Sequence, residues 1–332
     1  MQRWNQVLDC VATAIGPGPR LVVVDGGAPA GEFADRLAGW LLAHGEPCWR
    51  LSDENPLADE DAWRVDQRPT IAIADGATWR AWPPGRNWDV VIWVRTAGPP
   101  PAGPRPEQDA EIVVDLRDLA WPVIRHIDPA LADRGSWYLA ETRAFFAVRA
   151  PTWDAKFGDD LPAYAQAVAE IGIDEGAVVV DVGCGTGRAL PALRAATGPE
   201  GVVIGVDVTA EMLAAARSFG RAEDAHLVLG DAQHLPLADG SVNAVFAAGL
   251  IGHLPDVDPG LTELARVTTP GGRLALFHPS GRAALAARHG RTLRPDEPLS
   301  KDPLGRTLRR CGWHLDTYDD APHRFLALAS RD

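Results

Sequence analysis

Apolar positions in this chain fall into short continuous runs, most of them closed by glycine or an acidic residue. Such runs predict strands buried on both faces of a parallel sheet. They occur at 21–24, 70–74, 90–94 and 111–114 in the first part of the chain. They return at 178–182, 201–206, 226–229, 244–248 and 273–277. Between them, helical spacing is found over 32–44, 133–149 and 161–171; in the second of these, Trp137, Leu139 or Ala140, Ala144 and Val148 share a face, and Pro151 ends it. The last two runs, 313–318 and 324–329, read as an antiparallel pair with Pro322 in its connection. Strands alternating with helices predict two α/β sheets in one chain.

Residues 178–188 are the most informative of these segments. Three β-branched residues lead through Asp181 into Gly183, Gly185 and Gly187, spaced as G-x-G-x-G. This is a strand, a glycine turn and a helix start, where backbone approaches a ligand closely and free N–H groups face its polar end. An ordinary dinucleotide fold has G-x-G-x-x-G instead. The next strand ends at Asp207, 20 residues past Gly187, where a carboxylate accepts both ribose hydroxyls. A third strand ends in Gly230-Asp231-Ala232, which places an acceptor for an adenine amino group.

Composition narrows the partners. The net charge of −13 argues against a nucleic-acid partner and against an anionic membrane. No apolar run reaches the roughly 18 residues of a membrane span, and the start does not read as a signal peptide, so the expected location is cytoplasmic. Cys10, Cys48, Cys184 and Cys311 lie too far apart for a zinc site or a disulfide framework, and no metal is expected. Of the twelve tryptophans, eleven fall between Trp4 and Trp153, so the two parts differ in composition.

The segment 181–187, Asp207 with Glu211-Met212-Leu213 behind it, Asp231-Ala232 and Pro270-Gly271-Gly272 closely resemble class I S-adenosylmethionine-dependent methyltransferases, and most of all their small-molecule branch. The resemblance covers roughly residues 161–331. It implies a Rossmann-like seven-stranded sheet, S-adenosylmethionine as cofactor and a small-molecule acceptor. The implied cofactor-binding residues are Asp181, Gly183, Cys184, Gly185, Gly187, Asp207, Val208, Met212, Asp231, Ala232, Ala248 and Gly249. In this branch the segment before the first strand caps the cofactor, which makes Trp153, Phe157 and Tyr164 candidates for the pocket wall; aromatics there serve equally as core. His253 and His278 are the catalytic candidates. His253 reads either as a general base or as a residue that packs beside the cofactor. Arg282 is a candidate clamp for an acceptor carboxylate or phosphate, with His289 and Arg291 weaker contacts, though a solvated arginine is an equal reading.

The first part resembles uridine kinase-like P-loop kinases over roughly residues 19–127, with 25–33 at the place of the phosphate loop. A working loop needs a lysine for the phosphates and a hydroxyl for magnesium. Glu32 and Phe33 stand there, and both lysines, Lys156 and Lys301, lie elsewhere. The expectation is a degenerate kinase-like domain over 1–130, a helical connector and cap over 131–170, and the methyltransferase domain over 171–332. The first domain then serves a structural, dimerising or substrate-recruiting role, so a homodimer is one expected assembly. Two other readings stay open: a non-catalytic protein that binds S-adenosylmethionine for regulation, and a first domain that still holds a nucleoside or nucleotide.

Overall fold

In the computed structural model the residues described are 2–51, 70–81, 88–96, 109–156, 160–254, 256–288 and 293–332. Compactness divides the chain into two units, residues 1–141 and 142–332, and the division falls within one helix, Arg134–Ala147.

The N-terminal unit is built on a six-stranded sheet in the order β2-β3-β1-β4-β5-β6. Its strands are β1 (Arg20–Asp25), β2 (Cys48–Arg50), β3 (Ile71–Asp75), β4 (Val90–Arg95), β5 (Ile112–Asp115) and β6 (Val123–Ile127). All neighbours are parallel except β5 and β6. Central β1 buries Val22, Val23 and Val24 completely, as its unbroken apolar run requires. Helix α1 (Gln2–Ile15) lays Trp4, Val7, Leu8, Val11 and Ile15 into the core, a stripe of 3.6-residue period. Helix α2 (Pro29–Ala43) begins at Pro29, three residues before the expected start, because a proline in the first turn is already set at a helical φ. α1, β2 and β6 are additions to the elements expected from the sequence. The Pro-rich run 98–106 lies outside the described residues.

The C-terminal unit carries a seven-stranded sheet in the order β12-β13-β11-β10-β7-β8-β9. Its strands are β7 (Val178–Val182), β8 (Val202–Asp207), β9 (His226–Leu229), β10 (Val242–Ala248), β11 (Thr268–His278), β12 (Trp313–Ala321) and β13 (Arg324–Arg331). Pairs from β9 through β11 are parallel, and β13 runs antiparallel to both β11 and β12. The expected seven strands and antiparallel end are therefore present. Before β7 stand two short 3-10 turns, Ala150–Thr152 and Asp154–Lys156, and the helix Leu161–Ile171, which ends at Gly172 in the left-handed conformation (φ 73°). One core layer gathers Leu261, Leu264, Leu274, Leu276, Leu308 and Trp313. Among the described residues no helix is long and apolar enough to cross a membrane.

Candidate functional site

β7 and β8 end side by side, with Val182 in register with Val206, and their carboxyl ends carry the acidic and glycine residues read from the sequence. Gly183, Gly185 and Gly187 have φ of 74°, 54° and 76°, a region that side chains disfavour. They differ in surroundings. A Cβ on Gly187 would meet Leu190 at 3.0 Å and Ala216 at 3.1 Å, whereas one on Gly185 would meet nothing within 4 Å. The loop is thus tight against protein at Gly187 and open at Gly185, where a ligand has room.

Asp207 ties this loop to the next helix. Its Oδ2 accepts the Gly185 N–H at 2.9 Å and its Oδ1 the Thr209 N–H at 2.8 Å, just before the helix Ala210–Ser218. Each oxygen keeps a second lone pair for a ligand hydroxyl. Burial pushes the Asp207 carboxyl up, and the two amides partly oppose that. Asp181, fully enclosed in β7, has an Oδ1 with no hydrogen-bond partner. Its pKa is pushed up to about 8, first by burial and then by the charge of Asp207. Asp181 thus offers an unpartnered carboxyl oxygen to a ligand donor such as an ammonium, whose positive charge would favour loss of the Asp181 proton. Cys184 is buried in the loop, and burial pushes its thiol up, as for an inert packing residue.

The other expected cofactor residues fall on the segments that follow β8 and β9 and at the end of β10. Met212 is buried with Ala150 and Ala215, flanked by Phe146 and Trp153. The Val208 carbonyl accepts from Arg143 Nε at 3.1 Å. Asp231 follows β9, and its Oδ1 accepts the Gln233 N–H at 3.0 Å. Ala232 lies in the core beside Val206. Ala248 ends β10, and the Gly249 N–H, at φ 67°, donates to the Phe277 carbonyl at 2.8 Å.

The acceptor-side candidates divide. The His253 ring meets Phe146 edge-on at 4.9 Å, and Phe146 meets Trp153 at 5.3 Å, so these three rings form one aromatic group at the ends of the strands. His278 ends β11 beside Gly249, with its Nδ1 held 3.0 Å from the Ser280 amide nitrogen. Two candidates do not line a pocket. Tyr164 lies in the core, its ring 5.0 Å from Phe277 and 6.2 Å from Phe246, because the helical period points it at the sheet. Arg282 is engaged within the protein, with Nη1 on Tyr318 Oη at 3.2 Å and Nη2 on Ser300 Oγ at 2.8 Å and Glu297 Oε2 at 3.3 Å. Phe157, His289 and Arg291 lie outside the described residues. Among the described residues no group of three or more His, Cys, Asp or Glu side chains is placed to hold a metal ion.

Sequence reasoning missed an ionic group beside the loop. Asp154 and Asp160, from the segment before β7, meet Thr186, Arg188 and Arg221. Arg188 directly follows the last glycine, which is the one signal the sequence offered.

Residues 180–276, the span from β7 to β11 that holds this site, match the family model described as a methyltransferase domain. Over this span the chain is similar to that family, whose model covers less than half of the whole chain. Over 108 residues the chain is 40% identical to methyltransferase GfsG of Streptomyces halstedii, covering 31% of this chain and 38% of that one. Over 151 residues it is 32% identical to O-methyltransferase cnsE of Penicillium expansum, covering 42% and 53%. Among solved structures, a SAM dependent methyltransferase from Aquifex aeolicus aligns with a TM-score of 0.43 at 26% identity, over 51% of this chain and 89% of that one. The chain spans about half or less of the length of these two curated relatives. The family match lies within the C-terminal unit and leaves the N-terminal unit without an assignment.

Proposed function

We propose that this chain transfers a methyl group from S-adenosylmethionine to a small-molecule acceptor. The observation that carries this reading is the pair of buried acids around an open glycine turn: Asp207, with both oxygens anchored and a lone pair left on each, and Asp181, with an unpartnered oxygen. Asp207 would hold the ribose, Asp231 the adenine amino group, and the loop from Gly183 to Gly187 the amino-acid end. When bound, S-adenosylmethionine supplies a methyl group that is already activated as a sulfonium. The protein's task is then alignment and exclusion of water. Trp153, Phe146 and His253 would wall the acceptor side, and His278 stands at the same strand ends as the side chain to hold or take an acceptor proton. The relatives' names include a demethylmenaquinone methyltransferase, which supports a small-molecule acceptor.

For the N-terminal unit we propose a kinase-like fold without phosphoryl transfer. Phe33 is fully buried beside Trp4, with ring centroids 6.1 Å apart, and Glu32 pairs with Arg36 at 2.8 Å. The two positions that would carry the lysine and the magnesium hydroxyl are thus spent on core and surface.

Isothermal titration with S-adenosylmethionine tests the cofactor reading. Asp207→Asn is expected to weaken binding by about 2 kcal/mol, the loss of a charge-assisted hydrogen bond. Incubation with methyl-labelled cofactor and a metabolite extract then tests turnover. Tight binding with no labelled product from any extract would favour a regulatory protein that uses S-adenosylmethionine as a signal. Transfer of the γ-phosphate of ATP to an acceptor by the chain would overturn the reading of the N-terminal unit.

A further inference from the structure

Two carboxylates outside the glycine motif grip it from the segment that precedes the sheet. Asp154 Oδ1 accepts the Thr186 hydroxyl at 2.7 Å, and Asp154 Oδ2 lies 2.5 Å from Arg221 Nη1. That same Nη1 donates to the Thr186 carbonyl at 3.2 Å. Asp160 Oδ2 accepts from Arg188 Nη1 at 2.7 Å, and Arg188 Nε lies 3.5 Å from Asp154 Oδ1. The four charged side chains are between 7% and 19% exposed, so salt screens them little.

Thr186 stands between Gly185 and Gly187. A turn with three left-handed glycines in five residues has little stiffness of its own. The directions of its N–H groups are set by whatever holds the residues between the glycines. Thr186 is held twice, by its hydroxyl on Asp154 and by its carbonyl on Arg221, and those two partners are paired with each other. The segment 150–156 is anchored again one residue earlier, where Trp153 packs with Phe146 against Met212.

We propose that Asp154 is a positioning residue for the cofactor: with Arg221 it fixes the Thr186 peptides, and so the amides of the glycine loop, and it ties the segment 150–156 to that loop. This rests on the S-adenosylmethionine reading above. Asp154 acts through Thr186 and has no part in the transfer itself. Affinity then depends on a residue 27 positions before the first acid of the motif.

The test is titration of the full chain with S-adenosylmethionine and with S-adenosylhomocysteine. Asp154→Ala should raise both dissociation constants about tenfold, as expected for one charge-assisted hydrogen bond. Thr186→Val should weaken binding in the same direction but by less, since Arg221 still holds the Thr186 carbonyl, and the double variant should be no worse than Asp154→Ala, because the hydroxyl contact is already lost there. Asp154→Asn keeps an acceptor for the Thr186 hydroxyl and should recover part of the affinity. Hydrogen exchange of the amides at 183–188 should quicken in Asp154→Ala without ligand, which a loss of general stability would not confine to that loop. If Asp154→Ala fails to fold, Asp154→Asn and Arg221→Gln carry the same comparison. Binding within twofold of the parent, or losses that add in the double variant, would overturn the proposal and leave the cofactor reading standing. A parent chain that binds neither ligand would instead overturn the cofactor reading.

Discussion

Arg3 and Glu141 form an ion pair closed inside the N-terminal unit, with side chains 8% and 6% exposed. Arg3 also donates to the Pro122 carbonyl at 2.8 Å, and Glu141 accepts the Ile124 N–H at 2.6 Å. The pair therefore joins α1, the start of β6 and the helix Arg134–Ala147. Removing one partner leaves the other charged and buried. Glu141→Ala is expected to destabilise this unit by about 3–5 kcal/mol. Tryptophan fluorescence during urea unfolding reads it, since most of the tryptophans lie in this unit.

Asp181 gives a pH dependence with a definite sign. Its folded pKa of about 8 stands above the ordinary value of 3.8, because burial and the Asp207 charge disfavour the carboxylate. Between those two values the folded chain holds a proton that the unfolded chain has lost. The contribution of Asp181 to stability is thus full at low pH and declines as pH rises through 8. Melting temperatures of the ligand-free protein should fall over this range by more in the parent than in Asp181→Asn. Parallel curves for the two proteins would refute the assignment.

Arg282 separates two roles that the sequence left equal. Its guanidinium meets Tyr318, Ser300 and Glu297, so Arg282→Met should cost about 1–3 kcal/mol of stability through unpaired buried partners. The affinity for S-adenosylmethionine should not change. A variant of normal melting temperature with a raised KM for an anionic acceptor would restore the substrate role instead.

The C-terminal sheet was legible because its strands are continuous apolar runs and its turns need glycine for steric reasons visible in one dimension. Asp181, Gly183 and Asp207 follow from such local rules. Asp154 and Arg221 do not: they lie 67 residues apart and meet only because the chain has folded. Tyr164 was ambiguous for a related reason. An aromatic residue on the apolar face of a helix carries no mark that distinguishes core from pocket wall, and only its packing against Phe246 and Phe277 decides. β6 was missed because Arg125 and His126 interrupt its apolar run, and β2 because three residues carry too little pattern.

Phe33 fills the start of α2 as part of the core, closed in with Trp4 and Leu37. A threonine or serine at that position would remove most of a buried ring and strand a hydroxyl, at about 3–5 kcal/mol. That is a large share of the stability of a domain this size. On the kinase-like reading proposed above, the ring acts as a ratchet: a hydroxyl could not be placed there by one substitution without first rebuilding the neighbours that lean on Phe33.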